Sequence, residues 1–237
     1  MEPESKQPDA ASSPAKRKRA EFEDDDIEVL VGTEQARFVV HKHIICERST
    51  FFHSACSQRW MEEKRAIELV DDDPNTFNTY LKLVYGGGLR AIDPQKPFLE
   101  YIRLYSMADR FGDLDAANAA IDGIIQFSDQ EHQVPNRGLV RLAMLSSSAH
   151  SPLQRLMIDF YVREISEVSI DNLEEDNVLP KEFLAAVVKE FVRIARAGNV
   201  ANGLWKELST CASEKPKCYY HQHNDRFPAC EDATRPK

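Results

Sequence analysis

The feature that most constrains this chain is a change of hydrophobic period within its first third. Ile27, Val29 and Val31 alternate with Glu28 and Leu30, the period of two that a half-buried strand requires. A turn signal at Gly32, Thr33 and Glu34 follows, and the apolar run resumes at Phe38, Val39 and Val40. This is the pattern of a β-hairpin. From Ser49 onward the spacing becomes helical, interrupted only by a short strand pattern over residues 66–70. A few short strands followed by many helices predict an α+β fold in which a small sheet caps a helical cluster.

Local chemistry places several boundaries. Ser49 and Thr50 are cap residues before Phe51, Phe52, Ala55 and Cys56, which share one helical face. Asp73 is an N-cap and Pro74 a first helical residue before Phe77, Tyr80, Leu81 and Val84. Gly86, Gly87 and Gly88 close that helix, and with no following Lys-Ser/Thr pair they read as a turn rather than a phosphate cradle. Two helical stripes come next, one of Phe98, Tyr101, Ile102, Tyr105 and Ala108, the other of Leu114, Ala117, Ile121, Ile124 and Ile125. Three further amphipathic segments cover residues 139–145, 153–165 and 183–195. In the last, Phe183, Leu184, Val187, Val188, Phe191, Val192 and Ala195 are expected to form one core stripe. Only 9 glycines occur, well below a typical share of roughly 7% of residues, which agrees with a largely helical mass.

Composition excludes several function classes. The formal net charge of -9 opposes nonspecific nucleic-acid binding, because a polyanion repels a surface of its own sign. No apolar run approaches the ~18 residues of a membrane span, and the polar N-terminus lacks a signal-peptide core, so a soluble, unsecreted chain is expected. Five cysteines, an odd number, point to free thiols or metal ligands rather than a disulfide framework. Nucleophile-elbow, zinc-protease and paired-glycine motifs are all missing, so no catalytic role is assigned. His41 reads as a packed, hydrogen-bonded histidine, and Asp71, Asp72 and Asp73 as a cap with favourable charges at a helix start.

The ordered series of Asp26 before an apolar strand, Val31-Gly32, Phe38-x-Val40-His41-Lys42, Ser49-x-Phe51-Phe52, Ile67-x-Leu69, Asp73-Pro74-x-x-Phe77 and Tyr85-Gly86 resembles a BTB/POZ domain. The resemblance spans residues 26–130. The remainder, read as a helical extension over residues 131–210 and a Cys/His tail over residues 211–237, is similar to the helical extension and terminal segment of short fungal BTB proteins. It implies a BTB/POZ fold with an all-helical C-terminal extension, and a role as a protein-protein interaction module. It further implies a substrate adaptor for a cullin-type ubiquitin ligase, or else a nuclear scaffold or transcription cofactor using the same surface. The family's cullin-contact motif, hydrophobic-x-Glu after the second helix, corresponds to Met61, Glu62 and Glu63, and the register Trp60-Met61-Glu62 also fits. The competing reading is an ordinary solvated loop. Asp26 and Lys42 match positions that pair across a pocket in the family, with a structural or partner-contact role. Self-association is a further family property, although a swapped dimer is disfavoured because the chain enters its first strand from a charged arm without a preceding helix.

That arm, residues 1–25, is rich in Pro, Ser, Ala and charge, and ordering it would cost entropy without burying apolar surface. Within it, Lys16, Arg17, Lys18 and Arg19 resemble a nuclear-import signal, the alternative being a solvated linker, so the expected location is nucleus, cytoplasm or both. In the tail, Cys218, His221, His223 and Cys230 offer two thiolates and two imidazoles, a legitimate set for structural zinc, with Cys211 a competing ligand. The bland reading is a polar tail with incidental cysteines.

Overall fold

A computed structural model describes residues 26–57, 66–88, 95–164, 179–197, 212, 215–225 and 228–230. β1 (Asp26–Val31) and β2 (Ala36–His41) form the antiparallel hairpin, with Val29 opposite Phe38 and Val31 opposite Ala36. β3 (Ile67–Leu69) pairs parallel to the other edge of β1, Val29 facing Ile67, which gives the sheet order β2-β1-β3. Ile27, Val29 and Val31 point into the core as their alternation requires.

The parallel pairing of β1 and β3 needs a crossover, and two short helices lie in it: α1 (Lys42–Arg48) and α2 (Thr50–Ala55). The periodicity reading assigns no element to α1. Its N-cap His41 makes no side-chain cap bond and only Ile45 is buried, so neither a start signal nor a stripe marks it. For α2 the expected cap is present, with Ser49 Oγ accepting from Phe52 N at 3.1 Å.

The helical layer follows. It comprises α3 (Pro74–Val84), α4 (Pro97–Phe111), α5 (Leu114–Glu131), α6 (Arg137–Ser146), α7 (Pro152–Glu164) and α8 (Lys181–Ala197). Asp73 caps α3 through Thr76 N at 2.9 Å, the expected cap, and its neighbour Asp72 pairs with Arg110. Phe77 and Phe111 sit at the centre of an aromatic cluster that includes Phe38, Phe51, Phe52 and Tyr80, with Phe52 and Tyr80 ring centroids 5.1 and 5.3 Å from Phe111. One continuous core runs from these rings through α4 and α5 to Leu156, Phe160 and Phe183 in the last helices.

Two glycines are required by close approach. Gly112 ends α4 at a φ of 65°, and a Cβ there would overlap Thr50 Oγ1 of α2. Gly123 lies mid-helix in α5, where a Cβ would strike the Tyr101 ring of α4. Its helix penalty of about 1 kcal/mol is the smaller cost, since overpacking runs to about 1–3 kcal/mol.

The last helix corrects the sequence reading. Phe183, Val187 and Ile194 are buried against α7, and Phe191 is half-buried between them, but Val188 is 60% and Val192 43% exposed and Ala195 lies outward too. The seven-residue stripe is two adjacent rows, and among the described residues only the row starting at Phe183 is fully covered. Its breadth exceeds the arc that a single neighbouring helix can bury.

Between α4 and α5 lies a side chain with several partners. Asp113, fully buried, caps α5 by accepting from Ala116 N at 3.0 Å. It also accepts from Arg48 Nε and Nη2 at 3.3 and 3.2 Å and from Tyr80 Oη at 3.2 Å. Burial first, and then the Asp113 carboxylate, hold the Tyr80 phenol well above the ordinary tyrosine range. Asp113→Ala should therefore destabilise the fold by about 2–4 kcal/mol, combining a lost cap with a buried hydroxyl left unsatisfied. Asp115→Ala, whose carboxylate is half-exposed and 3.7 Å from the same arginine, should stay within about 0.5 kcal/mol. Denaturant midpoints of the two variants check this, and equal shifts would contradict it.

Candidate functional site

Two regions carry the residues singled out from sequence. The first is the outer corner of the sheet, where β2 runs into α1. Asp26 opens β1 at an exposed position opposite His41, and Lys42 is the first residue of α1, so strand register brings the predicted pair to one corner. His41 is hydrogen-bonded as expected but not packed: its ring is exposed at the surface. Tyr85 Oη accepts from His41 N at 3.0 Å, leaving its own proton for His41 Nδ1, also at 3.0 Å. That arrangement leaves Nε2 to carry the imidazole proton when the ring is neutral.

Beside this corner, Lys42, His43, Cys46, His53, Ser54 and Ser57 line an open hollow of about 600 Å³. The chain leaves it at Ser57 toward the segment bearing Met61, Glu62 and Glu63, which lie outside the described residues, as do Lys16, Arg17, Lys18 and Arg19 and the competing ligand Cys211. Val39, 56% exposed on β2, and Tyr85 add apolar surface to the same side of the sheet. The corner thus presents imidazoles, a lysine and apolar groups together at the surface.

The second region is the tail. A short 3-10 turn, Lys217–Tyr219, leads into a strap that lies across α5 and α7. Tyr220 is buried, and its hydroxyl donates to Asp159 of α7 at 2.6 Å. Lys215 Nζ reaches the same carboxylate oxygen at 2.7 Å, and Arg155 donates to Tyr219 O at 2.9 Å. Burial and then the neighbouring Asp159 charge push the Tyr220 phenol far above the ordinary range, so it remains a donor. On α5, Asn118 holds the strap at two points, its Nδ2 donating to Gln222 O at 2.9 Å and its Oδ1 accepting from Gln222 N at 3.0 Å.

The strap brings the predicted ligands together unequally. One ligand atom from each of Cys218, His223 and Cys230 lies within 4.8 Å of the others. His221 stands at the edge of this group, with Nδ1 3.4 Å from Cys230 Sγ and Nε2 3.0 Å from Asp122 on α5. Sequence reasoning missed Asp122, Asn118 and Asp159. Each is a helical polar residue whose importance comes only from a partner far along the chain, and no local signal announces that.

With the geometry in place, comparison with known protein families shows that the BTB/POZ domain fits residues 17–111. The chain carries a BTB/POZ domain. No curated protein matches the chain. The domain accounts for the three-stranded sheet with its crossover helices, α3 and α4, and the fold is the expected α+β unit with a helical extension. BTB/POZ is a protein-protein interaction module that mediates partner binding and self-association, and it is not a catalytic family. Among the described residues, no helix is long and apolar enough to cross a membrane.

The strap's attachment to the extension is directly testable. Asp159→Ala would strand the buried Tyr220 hydroxyl and the Lys215 ammonium together, and should cost about 2–3 kcal/mol, whereas Tyr220→Phe removes one hydrogen bond and should cost about 1–1.5 kcal/mol. Urea midpoints rank the two, and faster proteolysis near residue 215 should accompany the larger loss. A variant order reversed from this would show that the strap is held elsewhere.

Proposed function

We propose that this BTB/POZ chain is an adaptor that recruits a partner protein to a cullin-type ubiquitin ligase. The observation that carries this reading is positional. Met61, Glu62 and Glu63 fall between α2 and β3 of a BTB/POZ frame, next in sequence to the exposed hollow at His53 and Ser57. An apolar anchor flanked by acidic groups is the combination that gives a small contact both desolvation energy and a charge to orient it. The purified full chain should bind a cullin N-terminal domain in titration calorimetry. Replacing Met61, Glu62 and Glu63 together by alanine should weaken binding by about tenfold or more, as loss of one anchor does. Absence of binding by the wild-type chain would reject the adaptor reading in favour of a scaffold or transcription cofactor.

That second reading is favoured by one feature of its own, the basic cluster at Lys16, Arg17, Lys18 and Arg19, which we read as a nuclear-import signal. The chain weighs 27.0 kDa and passes nuclear pores by diffusion, so the test requires fusion to a large inert reporter. Alanine at all four positions should move the fusion from nucleus to cytoplasm. An unchanged distribution would make the cluster a solvated linker.

A further inference from the structure

The geometry points to a closed zinc site in the tail, formed by Cys218, His221, His223 and Cys230, oriented by Asp122 and fastening the strap to α5. Four observations support it. The ligand atoms of Cys218, His223 and Cys230 already lie within 4.8 Å of one another, and a tetrahedral zinc centre spaces neighbouring ligand atoms at roughly 3.5–4 Å, so modest side-chain movement closes the set. His223 Nε2 is buried with no hydrogen-bond partner, an arrangement that proteins avoid unless the lone pair serves another purpose. Cys230 Sγ and His221 Nδ1 are 3.4 Å apart, the separation of adjacent ligands on one ion.

The fourth observation concerns Asp122. Its carboxylate accepts from His221 Nε2 at 3.0 Å, and the His221 side chain is only 3% exposed. A carboxylate on Nε2 fixes the proton there and turns the Nδ1 lone pair toward Cys230, which is how zinc-ligating histidines are held in a productive tautomer. Asp122 is thus a positioning residue, not a ligand. Two thiolates and two imidazoles favour zinc over the oxygen-seeking calcium and magnesium ions. On binding, each cysteine releases its thiol proton to solvent and each sulfur forms one bond to the metal, so two protons leave per ion and no electron is transferred. With four protein ligands the ion has no position for water, and its role is structural.

Asn118 and Asp122 are one helical turn apart on α5, so the same face that grips Gln222 also orients His221. The other end of the strap is tied to α7 through Asp159. An ion at this point therefore locks the extension and α5 together rather than ordering a detached finger.

The full chain, expressed without a polyhistidine tag and purified without chelator, should carry about one zinc per molecule by elemental mass spectrometry. Its cobalt-substituted form should show intense visible bands of tetrahedral coordination and a sulfur-to-cobalt charge-transfer band. The Cys218→Ser, Cys230→Ser double variant should lose the metal. Because that variant could also unfold the strap, Asp122→Asn supplies a second arm. It retains every ligand and should weaken zinc affinity by about 10–100-fold in competition with a chromophoric chelator. Metal-free wild-type protein with an octahedral cobalt spectrum would overturn the site. Zinc content unaltered in the double variant would do the same, and unchanged affinity in Asp122→Asn would remove the positioning role.

Discussion

A buried carboxylate at the junction of four helices is the interaction on which the rest of this structure depends. Taking Asp113 out of water is costly, and the cost is offset only because the side chain is surrounded by donors: the Ala116 amide, two guanidinium nitrogens of Arg48 and the Tyr80 hydroxyl. The adjoining backbone is secured at the same corner, where Ser49 Oγ donates to Phe111 O at 2.7 Å while accepting from Phe52 N. Gly112 between them closes against Thr50 without room for a side chain. Hence α1, α2, α3, α4 and α5 are referred to one point. Networks of this kind are directional, and they specify one arrangement of helices where apolar packing alone would tolerate several.

From that point the dependence runs outward along α5. Its start is fixed by Asp113, and its line of approach to α4 by the contact of Gly123 with the Tyr101 ring. One side of the helix, with Ala117, Ala120, Ile121 and Ile124, enters the core. Asn118 and Asp122 occupy another side and receive the tail. A rotation of α5 large enough to misplace Asp122 would also pull Ile121 and Ile124 from the core, so the geometry offered to His221 is as rigid as the packing behind it. A helix packed against the core of the chain and a cysteine-histidine tail more than 90 residues later are thereby tied together.

How much of this was legible in the sequence follows the range of the interaction concerned. The hairpin could be read from alternation, and the Asp73-Pro74 and Ser49 helix starts from capping chemistry, because every determinant lies within four residues. The Asp113 cap carries a local signal of the same kind, an Asp after Gly112 and before an apolar helix, yet its tie to Tyr80 and Arg48 is tertiary and has no trace in spacing. Helix α1 was invisible for the opposite reason: it has neither cap nor stripe and exists because β1 and β3 must be joined in parallel. In α8 the pattern was read too broadly, since periodicity marks which residues are apolar but not how wide a neighbouring surface is. Cys218, His223 and Cys230 were recognisable as metal-binding residue types, whereas the role of Asp122 depends on a contact across 99 positions.

The same distinction explains why hydrogen bonds alone are a poor anchor for the strap. Fixing each backbone residue costs about 1–2 kcal/mol, while a hydrogen bond at a partly exposed site returns a net of about 1 kcal/mol. Among the described residues of 215–223, the side chains of Tyr220 and His221 are deeply buried, and a short set of polar ties accompanies them. Taken one at a time these ties do not outweigh that ordering cost, so the segment holds its place only if its contacts form together. The proposed zinc ion joining positions 218, 221, 223 and 230 would supply that coupling, because loss of any one ligand would forfeit coordination shared by the other three. The Asn118 clamp and the Asp159 tie would then set where the strap lies, and the metal would set whether it stays.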